Sequence, residues 1–286
     1  MKGVLKSAMF LIFLTLIFPD RVHAQSKPNT LTQQEISEGW ILLFDGETNF
    51  GWENHGNAEW KIADGIVSVI SGDNGWLGTT SLFSDFVLKA DYRTGIDGNS
   101  GIFLRSASEG EPAKTGYELQ ICDTHKEYVT GSLVNYHNAQ KKVSFTPDQW
   151  HSYEVRAEGD RFLIKLNGKT LLNVRDKTHA VGHIGLQYNK GKGVEFRNIK
   201  LKPLGLKSIF NGKRFSEWQK VNNPERKTVP EWSIRNKAIH VEGGPGQIET
   251  EAAYGDFVFQ LEIRTNPKDA NHHPNSGIFF RGDRNT

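Results

Sequence analysis

The segment Gly116-Tyr117-Glu118-Leu119-Gln120-Ile121-Cys122-Asp123 concentrates the reactive side chains of this 286-residue chain. In an extended strand successive side chains point to opposite faces, so Glu118, Gln120 and Cys122 share one face while Leu119 and Ile121 take the other. A carboxylate beside an amide can accept a proton and hold hydroxyl groups. Upstream, Asn99-Ser100-Gly101-Ile102-Phe103-Leu104-Arg105 ends on an arginine. Its five donors could orient an oxyanion or carboxylate, or pair structurally with Glu118 or Asp123. Gly101 leaves room there for a ligand or a neighbouring chain to approach. Downstream, His125, His137 and His151 gather with Tyr128, Asn135 and Tyr136. Asp123 and His125, two residues apart, could share a divalent metal or a ligand hydroxyl, although two residues do not define a metal site. Trp76 lies in Asn74-Gly75-Trp76-Leu77, near an expected turn, where an exposed indole could stack on a sugar ring. Trp52 and Trp60 are expected in the core.

These residues must be positioned mainly by strands. Short alternating segments recur at Ala58–Ile62, Ile66–Ile70, Phe86–Thr94, Gly101–Arg105, Tyr117–Asp123, His151–Glu158, Arg161–Leu166, His183–Gln187 and Val194–Lys200. Asp64-Gly65, Asp97-Gly98, Glu158-Gly159-Asp160 and Asn167-Gly168 punctuate them as turns. Asn167-Gly168 marks the clearest hairpin, because both residues accept positive φ. Helical signal is confined to Leu31–Glu38, where Thr32 and Glu35 form a capping box. Many short antiparallel strands predict an all-β sandwich or jelly roll. Trp150-His151-Ser152-Tyr153-Glu154-Val155 reads as a structural strand, with Trp150 and Ser152 opposite His151, Tyr153 and Val155.

Composition narrows the function. Lys and Arg outnumber Asp and Glu by only two, 35 against 33, and are scattered. No basic stripe for phosphate neutralisation results, so nucleic acid is excluded as an expected partner. The single cysteine, Cys122, rules out an intramolecular disulfide, and core burial must supply stability. At the start, Lys2 and Lys6 precede an apolar run from Met9 to Phe18, followed by Val22-His23-Ala24. That pattern predicts a signal peptide over 1–24, cleaved after Ala24. The run is too short to span a bilayer. A periplasmic or extracellular protein without an integral membrane segment is expected, with a lead-in over 25–35.

The chain also repeats itself. Leu43-Phe44-Asp45-Gly46 followed by Trp52 and Trp60 returns as Ile209-Phe210-Asn211-Gly212 followed by Trp218 and Trp232. Asp85-Phe86-Val87 with Arg93-Thr94 returns as Asp256-Phe257-Val258 with Arg264-Thr265, and Asn99–Arg105 returns as Asn275–Arg281. The repeat unit is therefore domain-sized: a full domain over 36–203 and a partial second copy over 206–286. The second contains no counterpart of Tyr117–Asp123 and is expected to carry no complete site. A longer natural chain is the expected reason for its incompleteness.

The spacing Glu118-x-Gln120-x-x-Asp123 is similar to the Glu-x-Asp-x-x-Glu strand of laminarinase-like and lichenase-like β-glucanases. Here the middle acid is an amide and the last is shorter, which disturbs the carboxyl pair that retaining hydrolysis needs. As an ordered set, Phe44-Asp45-Gly46, Trp52, Asn99–Arg105, Tyr117–Ile121, Gly131-Ser132-Leu133, Trp150–Tyr153 and Leu166-Asn167-Gly168 resemble the 3-keto-disaccharide hydrolase domain family. The resemblance implies a concanavalin-like sandwich and a 3-keto-glycoside or 3-keto-disaccharide ligand. A ketone at C3 acidifies the C2 proton, so one base and one enolate stabiliser could expel the C1 substituent. The expected roles are Glu118 or His125 or His137 as base, and Arg105 or a bound divalent metal as stabiliser. Gln120, Asp123, Asn99, Tyr136 and Trp76 are expected to bind the sugar. No cofactor is required by this chemistry. A lectin-like binding module and a β-glucanase are the alternative functions.

Overall fold

The structure is a computed structural model that describes residues 27–139, 146–221, 227–255, 257–265, 271 and 275–282. The signal peptide expected over 1–24, Asp256 and the stretch up to Thr286 beyond 282 lie outside the described residues.

Two short helices, α1 (Gln33–Ser37) and α2 (Pro112–Thr115), accompany a set of strands: β1 (Ile41–Leu42), β2 (Trp52–Ala63), β3 (Ile66–Thr79), β4 (Phe86–Thr94), β5 (Ser100–Ser106), β6 (Tyr117–Ile121), β7 (His151–Glu158), β8 (Arg161–Leu166), β9 (Lys169–Arg175), β10 (His183–Tyr188) and β11 (Val194–Pro203). All pair antiparallel in one sheet, in the order β6-β5-β10-β3-β11-β4-β7-β8-β9, with β2 beside β3 and β1 beside β11. The long strand β3 makes the fold possible. Its first half, Val67–Val69, pairs with β11, whereas its second half, Gly75–Gly78, pairs with β10.

The sheet curls until its two ends face each other. The Tyr153 hydroxyl of β7 donates to the Gln120 carbonyl of β6 at 2.8 Å, and the Tyr117 ring stands edge-on to Phe162 of β8 at 4.7 Å. Between the layers lie Phe86, Leu88, Tyr92, Ile102, Leu104, Leu119, Val155, Ile164, Leu186 and Phe196, each 1% exposed or less. Each large apolar side chain so enclosed contributes about 1.5–3 kcal/mol. The expected all-β sandwich of jelly-roll type is what the chain forms.

Local signals behave as their chemistry dictates. Thr32 accepts from Glu35 N–H while Glu35 accepts from Thr32 N–H, completing the capping box of α1. Asn167 and Gly168 take φ of 48° and 77°, and Asp64 and Gly65 take 53° and 75°, the double positive φ of a tight hairpin. Two expectations change. The separate segments expected at 58–62 and 66–70 belong to the much longer β2 and β3, so Trp76 sits within a strand rather than at a turn. The polar face of β6 is not open, since all five of its residues are buried.

Beyond residue 203 the described strands pair only two by two: β12 (Trp218–Val221) with β15 (Gln247–Thr250), and β13 (Glu231–Arg235) with β14 (Ala238–Glu242). Residues 257–265 and 275–282 are described without strand pairing.

Candidate functional site

On β5, β6 and β10 one set of alternate residues, Ile102, Leu104, Leu119, Ile184 and Leu186, enters the core. The opposite set forms the front face of the sandwich. Register places Glu53, Gly78, Gly185, Phe103 and Glu118 opposite one another across β2, β3, β10, β5 and β6. In the adjoining row His55 faces Trp76 and Trp76 faces Gln187, while Gly101 faces Gln120.

Glycines let large side chains lie flat on this face. A Cβ on Gly185 would come 2.4 Å from the Trp76 ring, and a Cβ on Gly101 would come 2.9 Å from Glu118 Cγ. The indole therefore reclines over the backbone of β10, and the Glu118 stem over that of β5. Above the indole, His55 stacks at 4.1 Å and 11°, and Phe103 meets it edge-on at 5.7 Å. Trp76, Phe103 and Ala113 of α2 make a small apolar plug on the front face.

Beside that plug sits Glu118, 7% exposed. Burial disfavours the charged carboxylate and pushes its pKa up to about 7; a hydrogen bond from Gln187 pulls the other way, and the nearby Glu111 charge adds to the rise. Gln187 continues outward: its Oε1 accepts from Asn189 Nδ2 at 3.1 Å, and the same Nδ2 donates to Asn99 Oδ1 at 3.1 Å and Asn99 O at 3.3 Å. A chain of amides thus runs from Gln187 through Asn189 to Asn99. An additional strap holds the outer edge of β6. Gln120 N–H donates to Ser132 O, Gly131 N–H to Gln120 O and Val134 N–H to Glu118 O, at 2.9–3.0 Å.

Of the residues expected to act together, Asn99 reaches Gln187 through Asn189, and Gln187 in turn lowers the Glu118 pKa. Arg105 is elsewhere: with φ of 56° it leaves the strand alternation, is 1% exposed, and faces neither Glu118 nor Asp123. It donates to Ser84 O at 2.7 Å, Gly159 O at 2.9 Å and His179 O at 3.1 Å, and pairs with Asp85 at 3.1 Å. With its donors spent on carbonyls and Asp85, it cannot stabilise an enolate on the front face. Trp76, at 5% exposure under His55, offers no bare ring for a sugar. Gln120 is buried and turns its Oε1 back to the Ile121 N–H at 3.2 Å. His125 is an exposed turn residue whose Nδ1 accepts from Glu127 N–H and Tyr128 N–H, at 3.2 and 2.8 Å. That lone pair is therefore engaged rather than shared with Asp123 in a metal site. Among the described residues no group of three or more His, Cys, Asp and Glu is arranged to hold a metal ion.

Tyr136 and His137 join a different cluster. His137 Nε2 lies 3.3 Å from Asp176 Oδ2, Tyr117 OH donates to Asp176 Oδ1 at 2.8 Å, and Tyr136 OH lies 2.9 Å from His179 Nε2. Burial raises the Tyr117 pKa to about 12, so its hydroxyl stays a donor. This cluster ties the 131–139 strap to the turn after β9.

Several front-face residues escaped the sequence reading: His55, His183, Gln187 and Asn189. The signal for three of them was available, since His183-x-Gly185-x-Gln187-x-Asn189 has the same period of two that exposed Glu118 and Gln120. His183 Nδ1 donates to Thr79 O at 2.5 Å, which fixes its tautomer.

Set against known proteins, the family described as 3-keto-alpha-glucoside-1,2-lyase-like domain matches residues 39–202 and 205–286. Over 95 residues the chain is 30% identical to a 3-keto-disaccharide hydrolase of Bacteroides thetaiotaomicron, covering 29% of this chain and 33% of that relative. The match thus spans about a third of the relative's length. A candidate glycosyl hydrolase from Parabacteroides distasonis, known from its crystal structure, superposes with a TM-score of 0.57 at 24% identity, covering 62% of this chain and 100% of that one. At that identity the likeness is one of fold.

Proposed function

We propose, from the premise that the chain belongs to the 3-keto-alpha-glucoside-1,2-lyase-like domain family, that it cleaves 3-keto-glycosides with Glu118 as general base. The observation that carries this reading is the Glu118 carboxyl, buried to 7% exposure with a pKa of about 7. A base is most effective when its pKa lies near the working pH, because it is then both ionised and basic enough. In a 3-keto-sugar the C2 proton is acidified by the neighbouring carbonyl. Glu118 takes that proton, the C1–O bond breaks with its electron pair on the departing oxygen, and solvent protonates that oxygen. A C1=C2 double bond conjugated to the ketone remains, and addition of water across it completes hydrolysis. The neutral amides Gln187, Asn189 and Asn99 suit an uncharged, hydroxylated ligand.

A β-glucanase would need two carboxylates set for retaining or inverting displacement. On β6 the residue beside Glu118 on this face is Gln120, and Glu111 is engaged by Lys114 at 2.6 Å. A lectin-like module would be favoured by a bare aromatic platform, a role that Trp76 does not fill.

The test compares a 3-keto-disaccharide with its unoxidised parent, following product and solvent deuterium at C2 by NMR. Turnover of the keto-sugar alone is expected, with Glu118→Gln reducing it about 10²–10⁴-fold. Equal turnover by Glu118→Gln removes Glu118 from the mechanism. We also propose that the protein is exported and that 206–286 is part of a second copy of the domain. N-terminal sequencing of the mature protein should then begin at Gln25.

A further inference from the structure

We infer that the outer face of the sheet, across β11, β4, β7 and β8, carries a binding site for an acidic sugar. It is separate from the front face and does not rest on the role proposed for Glu118.

A cavity of about 390 Å³ opens over these four strands, which are neighbours in the order β11-β4-β7-β8. Small-ligand pockets span about 300–1,000 Å³. Register sets Lys200 opposite Lys89, Lys89 opposite Glu154 and Glu154 opposite Lys165. One row of the floor therefore holds three ammonium groups and a single carboxylate. Their sequence neighbours Leu88, Val155, Ile164 and Leu201 take the inward positions in the core. Like charges directly opposed on adjacent strands are destabilising, so the chain keeps Lys200 beside Lys89 at a cost.

The existing partners decide which cation is left over. Lys165 Nζ donates to Glu154 Oε1 at 2.9 Å, Lys200 pairs with Glu35 of α1, and Arg197 Nε lies 3.5 Å from Asp91 Oδ2. Among the described residues Lys89 Nζ meets Glu154 Oε2 at 3.8 Å and the face of Trp40 at 4.8 Å. Neither contact is a hydrogen bond, and the three donors of that ammonium stay available at the centre of the row.

The next row supplies acceptors. Ser152 Oγ donates to Asp91 Oδ1 at 2.5 Å and Asn198 Nδ2 donates to Asp91 Oδ2 at 2.7 Å. These bonds orient the carboxylate and leave it lone pairs, since it offers about four acceptor sites. Asn198 reaches Asp91 from a bulge: β11 slips register against β4 between Arg197 and Lys200, and Asn198 takes φ of 53°. Bulges of this kind re-aim a side chain. The same asparagine secures the wall. Asn29 N–H donates to Asn198 Oδ1 and Asn198 N–H to Asn29 Oδ1, both at 2.7 Å, which sets Thr30 at the rim.

A ligand that fits brings an anionic oxygen to Lys89 and hydroxyl donors to Asp91 together. Inorganic sulfate has no donor for Asp91, and a neutral sugar has no charge for Lys89. A sugar ring bearing a carboxylate or a sulfate group has both.

The experiment titrates the full chain at low ionic strength with D-glucuronate, glucose 6-sulfate, D-glucose and inorganic sulfate, followed by ¹H–¹⁵N NMR. At least one acidic sugar should bind about 10-fold or more tighter than glucose and than inorganic sulfate, and the tighter of the two identifies the anion. Lys89→Met should weaken that binding by about 10-fold or more, the value of a hydrogen bond to a charged group. Glu154→Gln removes the carboxylate that competes for the lysines and should tighten it about 2–5-fold. Glu118→Gln should leave it unchanged, which separates this site from the front face, and the outcome stands whether or not the chain turns over a keto-sugar. Glucose or inorganic sulfate binding as tightly as both acidic sugars overturns the inference, as does weaker binding in Glu154→Gln. Where Lys89→Met does not fold, Glu154→Gln decides.

Discussion

The two segments matched by the same family description repeat their local bonding almost atom for atom but differ in burial. Trp52 Nε1 donates to Leu43 O at 2.6 Å, and Trp218 Nε1 donates to Ile209 O at 2.7 Å. Asp45 Oδ1 caps the N–H groups of Glu47 and Thr48, while Asn211 Oδ1 caps those of Lys213 and Arg214. Arg105 and Arg281 both take φ of 56°. Around Arg105 the neighbours Ile102, Phe103 and Leu104 are 0–3% exposed, whereas Ile278, Phe279 and Phe280 are 47–83% exposed. Turns and caps form from a few adjacent residues. A buried strand needs hydrogen-bonding partners on both edges and a layer over its apolar face, and two-stranded ribbons are marginal by themselves.

The largest effect expected from this contrast is at the paired arginines. Arg105→Leu strips a donor from Asp85 and from three carbonyls in a dry setting, and should cost about 3–5 kcal/mol in urea unfolding. Arg281→Leu, at an exposed position, should stay within about 0.5 kcal/mol. Comparable losses at the two positions would break the comparison.

Next comes Glu118. Its folded pKa of about 7 exceeds the ordinary 4.5. The folded protein therefore retains a proton that the unfolded chain releases, and stability declines as pH rises from about 4.5 to about 7. Glu118→Gln removes that penalty. It should raise stability by about 3 kcal/mol at pH 8, with the gain vanishing below about pH 4.5. A gain independent of pH would show that shape, rather than ionisation, limits the wild type.

Smaller effects sharpen the contrast. Trp52→Phe, at 6% exposure, should cost about 2–3 kcal/mol, because the Leu43 carbonyl loses its donor. Trp218→Phe, with the same bond in a half-buried setting, should cost about 1 kcal/mol or less. The smallest effect is at hairpin turns. Asn167-Gly168 uses glycine at φ 77°, whereas Asn236-Lys237 forces lysine to φ 63°. Lys237→Gly should gain about 1 kcal/mol by relieving the left-handed conformation, read as a raised melting temperature of the C-terminal segment.

Period-two alternation made the sandwich legible, and the turn dipeptides and the capping box were each readable from a few neighbouring residues. Within the site, Glu118 and Asn99 were visible because their segments are polar where strands should be apolar. Arg105 misled for a physical reason: an arginine ending a strand looks identical in sequence whether its backbone continues the alternation or turns left-handed into the core. Trp76 misled because its flanking glycines read as turn formers, when Gly78 and Gly185 are instead the floor on which the ring lies. Gln187 comes beside the strands that carry Glu118 and Gly101 only through strand order β6-β5-β10, a pairing that no local pattern encodes.

The chain's lone thiol acquires a use from its position. Cys122 is 5% exposed and directly follows β6, the strand that carries Glu118; its carbonyl accepts from Thr130 N–H at 3.1 Å and its Sγ lies 3.7 Å from Thr124 Oγ1. A thiol reagent reaches so buried a sulfur when the surrounding segment opens, so the labelling rate of native protein counts opening events at the end of β6. Where reclosing is fast the rate yields the free energy of opening, and where labelling outpaces reclosing it yields the opening rate itself. With a single cysteine in the sequence, every labelled molecule reports on that one edge, and ligand occupancy of the front face becomes readable as a slowing of the same clock.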